Sequence, residues 1–90
     1  MISEKRILVV DDLETNLILV QHILEKSHPE YKILLASSGE EGFQLAQSQL
    51  PEAILLDIYM PGMNGFETCQ KIKLNGSTSH IPILMISASG

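Results

Sequence analysis

Three carboxylates and one hydroxyl carry the chemistry open to this sequence. Asp11 and Asp12 follow the apolar run Ile7-Leu-Val-Val10, Asp57 closes a second run from Ala53 to Leu56, and Ser87 closes a third, Pro82-Ile-Leu-Met-Ile86. Ionised carboxylates gathered in one place repel one another, so one tends to keep its proton. A divalent cation removes that conflict. Hard oxygen donors suit Mg²⁺, which retains several waters and takes one or two carboxylates together with substrate phosphate oxygens. An Asp beside such an ion can act as a nucleophile toward phosphorus, with the cation neutralising developing charge. A hydroxyl such as Ser87 can then donate a hydrogen bond to a phosphoryl oxygen. The plainer readings are a helix-capping role for Asp57 and simple loop acids for Asp11 and Asp12. Against them, Asn64 is the better-placed cap, and two adjacent acids end a strand in the way Asp57 does.

These side chains meet only if the elements before them place them together. Ile7 to Val10 has the length and β-branched content of a strand buried on both faces. From Leu13 to Lys26 the period changes, and Leu13, Leu17, Val20 and Leu24 form one apolar helical stripe. Ser27-His28-Pro29 ends that helix, because the residue before a proline avoids the helical region. Tyr31 to Ala36 is a second strand. Ser38-Gly-Glu-Glu41 has the form of a capping box, opening a helix that runs to about Gln49-Leu50-Pro51. Ala53 to Asp57 is the third strand, Asn64 caps a helix running to about Leu74, and Pro82 to Ile86 is the fourth strand. Met60-Pro61-Gly62 and Asn64-Gly65 make the link after Asp57 a loop. Leu84 on the fourth strand is expected to face the core.

An alternation of strands and helices with short connections predicts an α/β fold, a parallel sheet with helices on both faces. Right-handed crossovers restrict its topology, and ligands in such sheets bind beyond the carboxyl ends of the strands. If the first and third strands are neighbours, Asp11, Asp12, Asp57 and Ser87 share one crevice.

The pieces Val9-Val10-Asp11-Asp12, Leu55-Leu56-Asp57-Ile58-Tyr59-Met60-Pro61-Gly62-Met63-Asn64-Gly65 and Pro82-Ile83-Leu84-Met85-Ile86-Ser87-Ala88 occur in order. With those separations the chain resembles the receiver domain of two-component response regulators, from Ile7 to about Ser89. The resemblance implies a flavodoxin-like doubly wound sheet in the order 2-1-3-4. It implies that Asp57 takes a phosphoryl group from a histidine kinase or histidine phosphotransfer protein. Mg²⁺ would be held by Asp12, Asp57 and the backbone carbonyl of Tyr59, with Asp11 holding a metal-bound water. Ser87 stands where the family has a Thr or Ser that moves toward the phosphoryl group, and Ala88 leaves room for it. Receivers continue through a fourth helix, a fifth strand with an aromatic switch residue and a nearby Lys, and a fifth helix. Residues 1–90 thus form a receiver domain incomplete at its C-terminus, and no Lys here matches the family's phosphoryl-binding Lys.

Composition limits the alternatives. The chain is 44% hydrophobic with 4% aromatic residues and no Trp, so its core must be built from Ile, Leu, Val and Met. Its net charge of −5 argues against nucleic-acid binding through this segment. No apolar run approaches the ~20 residues that cross a bilayer. One cysteine excludes an internal disulfide and fits a reducing cytosol, hence a cytoplasmic location. His22, His28 and His80 are scattered, and Cys69 reads as a packing residue. There is no Gly-rich phosphate loop, so the chain is not expected to bind a nucleotide. A signalling phosphoacceptor, not an enzyme, is therefore the leading expectation. The alternatives are a phosphorylation-independent interaction module and a Mg²⁺-dependent aspartyl-phosphate phosphohydrolase, whose usual D-x-D spacing is absent. An open edge on the fourth strand is expected to favour a homodimer.

Overall fold

The computed structural model describes residues 4–87; Ala88 lies outside them. Four strands form one parallel sheet: β1 (Lys5–Val10), β2 (Tyr31–Ala36), β3 (Ala53–Asp57) and β4 (Ile83–Ile86). Three helices alternate with them: α1 (Glu14–Ser27), α2 (Gly39–Gln49) and α3 (Gly65–Leu74). The strand order is β2-β1-β3-β4, as in a flavodoxin-like sheet. Val10 pairs with both Ala36 and Leu56, so the ends of β1, β2 and β3 come level at one rim of the sheet.

Strand alternation divides the core between the two faces. Leu8, Val10, Ala36, Ile54 and Leu56 point to one side and pack with Ala46 of α2 and Ile72 of α3. Val9 and Ile33 point to the other, against Leu17 of α1. The central strands β1 and β3 are therefore apolar on both faces, as their uninterrupted runs require. Leu8, Ile54, Leu56 and Ile72 are fully buried, and each contributes about 1.5–3 kcal/mol relative to an exposed position.

Leu84 departs from expectation. Ile83 and Met85 pack toward the α2–α3 core, which turns Leu84 to the α1 side of the sheet. There α1 lies over β1 and β2, and Leu84 is 61% exposed. A period-2 pattern assigns a residue to a face but says nothing of whether a helix reaches that strand.

The helix starts also differ in detail. The Ser38 hydroxyl accepts from Glu41 N–H at 3.1 Å, as a capping box requires. The Glu41 carboxylate, however, accepts from Ser37, at 2.8 Å from its N–H and 3.1 Å from its hydroxyl. The reciprocal half of the box has moved back one residue. At α3 the box is complete: Asn64 Oδ1 accepts from Glu67 N–H at 2.9 Å, and Glu67 Oε1 accepts from Asn64 N–H at 3.0 Å. Asn64→Ala should therefore cost about 1 kcal/mol, measured by denaturant unfolding. Glu67→Ala should cost less in the Asn64→Ala background than alone, since the two bonds are one device.

Candidate functional site

The acids sit where the strands end. Asp11 leaves β1 and is 3% exposed; Asp57 is the last residue of β3 and is 4% exposed. Asp12, one step further along, is half-buried. Because β1 and β3 are neighbours in the sheet, one carboxylate oxygen from each of Asp11, Asp12 and Asp57 lies within 4.8 Å of the others.

Each acid is held differently. Asp11 is tied at both oxygens, Oδ1 accepting from Leu13 N–H at 3.0 Å and Oδ2 from Asn16 Nδ2 at 3.2 Å. Asp57 Oδ1 accepts from Tyr59 N–H at 3.4 Å. Asp12 has no hydrogen-bond partner among the described residues. The loop beyond Asp57 is fixed at both ends. Ile58 N–H donates to Ile86 O at 2.9 Å, and Gly65 N–H donates back to Ile58 O at 3.0 Å. In between, Gly62 takes φ +71°, a left-handed turn that glycine adopts freely.

Charge is uncompensated here. No ion pair among the described residues includes any of the three acids. Burial pushes the Asp57 carboxyl above the usual carboxylate range; the negative charges of Asp11 and then Asp12, and a hydrogen bond with Asp11, push the same way. Only the Tyr59 N–H opposes them. The two lysines of α3 stand in its last turn, away from the acids, and have partners of their own. Lys73 donates to the carbonyls of Ser79 and Ile81, and Lys71 lies 5.0 Å from the centre of the Phe43 ring.

The remaining expected residues fall as follows. Tyr59 lies two residues beyond Asp57 and is 64% exposed. Ser87 follows β4 on the same rim, one position past Ile86, the register partner of Asp57, and is exposed. His22, His28 and His80 are all exposed, and Cys69 is half-buried against the α2–α3 core. A cleft of about 500 Å³ opens beside the loop, lined by Ile58, Tyr59, Met60, Pro61, Asn64 and Phe66. The acids do not line it, so the charged rim and the apolar cleft are separate features. Asn16 was not singled out by its sequence: a polar residue in a helix's first turn gives no sign that it faces back to an acid five positions earlier.

A parallel sheet in this order has counterparts among known proteins. Residues 7–90 match the response regulator receiver domain family. The chain belongs to that family. Over 83 residues it is 43% identical to the response regulator PleD of Caulobacter vibrioides, an alignment covering 92% of this chain and 18% of PleD. Protein PilH of Pseudomonas aeruginosa is 37% identical over 82 residues, covering 91% of this chain and 66% of PilH. The chain thus spans less than two thirds of either relative. Among solved structures, the N-terminal domain of a response regulator receiver protein from Methanoculleus marisnigri JR1 superposes with a TM-score of 0.85. It is 38% identical, over 92% of this chain and 66% of that one. Chemotaxis protein CheY4 of Vibrio cholerae gives a TM-score of 0.83 at 30% identity, over 92% and 68% respectively. Receiver domains are signalling modules that interact with histidine kinases or phosphotransfer proteins. No helix among the described residues of this receiver is long and apolar enough to cross a membrane.

Proposed function

We propose that this receiver accepts a phosphoryl group on Asp57 from a phosphohistidine, within a cytoplasmic two-component phosphorelay. The observation that carries the reading is the meeting of Asp11, Asp12 and Asp57 within 4.8 Å on one rim of the sheet. In the transfer, an Asp57 oxygen bonds to phosphorus as the phosphorus–nitrogen bond breaks. The electron pair leaves with the imidazole nitrogen.

The donor set suits Mg²⁺: three hard carboxylates, two of them buried, with no cationic partner among the described residues. Asp12, Asp57 and the Tyr59 carbonyl would hold the ion, with Asp11 reaching it through water. Asp12, free of other bonds, can turn to a ligand, whereas Asp11 is already occupied at both oxygens. When bound, Mg²⁺ supplies positive charge against the carboxylates and the phosphoryl oxygens. Ser87, at the rim, donates its hydroxyl to the phosphoryl group.

Incubation with acetyl phosphate and Mg²⁺ followed by intact-mass measurement tests the reading. A lasting gain of one phosphoryl group is expected. Steady release of inorganic phosphate would instead indicate the phosphohydrolase, and no reaction would indicate an interaction module without phosphoryl chemistry.

Self-association belongs to the same proposal. Leu84, 61% exposed on β4, presents apolar surface that a second copy can cover. Light scattering across a concentration series should show a dimer, weakened by Leu84→Lys at little cost in folding because the side chain is exposed. A monomer at high micromolar concentration contradicts it.

A further inference from the structure

We infer that Asn16 is a positioning residue for the acidic site, acting through Asp11; the inference rests on the Mg²⁺-binding reading above. Asn16 stands in the first turn of α1, half-buried, with its N–H donating to Leu13 O at 3.0 Å. That bond seats the residue at the helix start, and its side-chain amide points back to Asp11 Oδ2 at 3.2 Å. The other Asp11 oxygen accepts the Leu13 N–H at 3.0 Å. One carboxylate is therefore gripped by two donors from the start of a single helix, one main-chain and one side-chain.

The grip matters because of what surrounds Asp11. It is 97% buried by its 3% exposure, and it has two like charges for neighbours. The two donors fix which way its oxygens face beside those groups. A neutral amide donor restrains it without adding positive charge that would itself compete with a cation. A Lys or Arg at position 16 would hold Asp11 equally well but would offset the charge that attracts the metal. Groups that orient direct metal ligands typically carry tenfold or larger effects on affinity, and Asn16, acting through the water-linked Asp11, should carry a smaller one. Asp12 lacks such a restraint among the described residues, so the two adjacent acids divide the work: one is fixed by α1 and the other is free to move onto the ion.

The test is a Mg²⁺ titration by calorimetry of the whole chain, as wild type, Asn16→Leu, Asp11→Ala and the double variant. Asn16→Leu keeps the γ-branched outline of the side chain and does not lower helix propensity, while removing the donor. It should weaken Mg²⁺ binding several-fold, less than the roughly tenfold typical of a direct ligand's partner, yet have no further effect once Asp11 is Ala. Full wild-type affinity in Asn16→Leu, or an equal loss in the Asp11→Ala background, overturns the inference. Should the variant not fold, the wild type alone decides: the Asn16 side-chain amide resonances should shift along the Mg²⁺ titration, and fixed resonances beside a titrating site overturn the role. Absence of Mg²⁺ binding by the wild type would overturn the metal reading itself, an outcome distinct from a wild-type site indifferent to Asn16.

Discussion

Asp57→Asn should be more stable than the wild type at neutral pH without divalent cations, while losing phosphoryl acceptance. The cause is the raised carboxyl of Asp57, which burial and the adjacent Asp11 and Asp12 hold above its unfolded value of 3.8. Below pH 3.8 the group is neutral in both states, and its contribution to folding is fully present. As pH rises through the folded-state value, the folded chain binds the proton more tightly than the unfolded one, and that stability is lost. Asn has nothing to ionise. The variant's advantage in thermal unfolding should therefore be largest near pH 7 and fade toward pH 3.8. Mg²⁺ should reverse the ranking. At one hundred times its Kd the ion adds about 2.7 kcal/mol to a binding chain, and the variant, short of one ligand charge, should gain much less. An Asn variant less stable than wild type in metal-free buffer at pH 7 would contradict the account of the site's electrostatics.

Gly65→Ala should be among the most damaging single-methyl substitutions in the chain. Gly65 opens α3 directly against the end of β3. A Cβ there would overlap the Asp57 carbonyl oxygen and lie 2.7 Å from Ile58 Cα, both main-chain atoms. Neither can move without shifting the strand end that carries Asp57. The expected loss is about 2–3 kcal/mol, a fall in Tm on the order of 10 °C for a domain of this size. Gly62→Ala is the control. Its Cβ would meet nothing within 4 Å, so only the left-handed φ of +71° is at stake, a cost of about 1–2 kcal/mol. A loss at residue 65 no larger than that at residue 62 would contradict the close approach of α3 to Asp57 as its cause.

The strands and helices were legible because each carries its own period. Continuous apolar runs mark β1 and β3, and the Leu13–Leu17–Val20–Leu24 stripe marks α1, although Leu13 caps the helix and is exposed while the other three pack on the sheet. Asp11, Asp12 and Asp57 were legible as a site because a parallel sheet delivers the ends of adjacent strands to one rim. What escaped depends on reach across space. Leu84 reads as core from its alternation, but no described helix extends over β4 on that side. Glu41 sits three residues after Ser38 as a capping box demands, yet bonds to Ser37, whose N–H and hydroxyl offer it two donors. Asn16 escaped because its role lies in where its amide points, and a sequence records residue type without rotamer.

The most direct test of the central claim is peptide mapping of the wild-type chain after treatment with acetyl phosphate and Mg²⁺. The account predicts a single modified peptide with the label on Asp57, and no label when Mg²⁺ is chelated. Label on Asp11 or Asp12, or on Asp57 at the same rate without the cation, would contradict it.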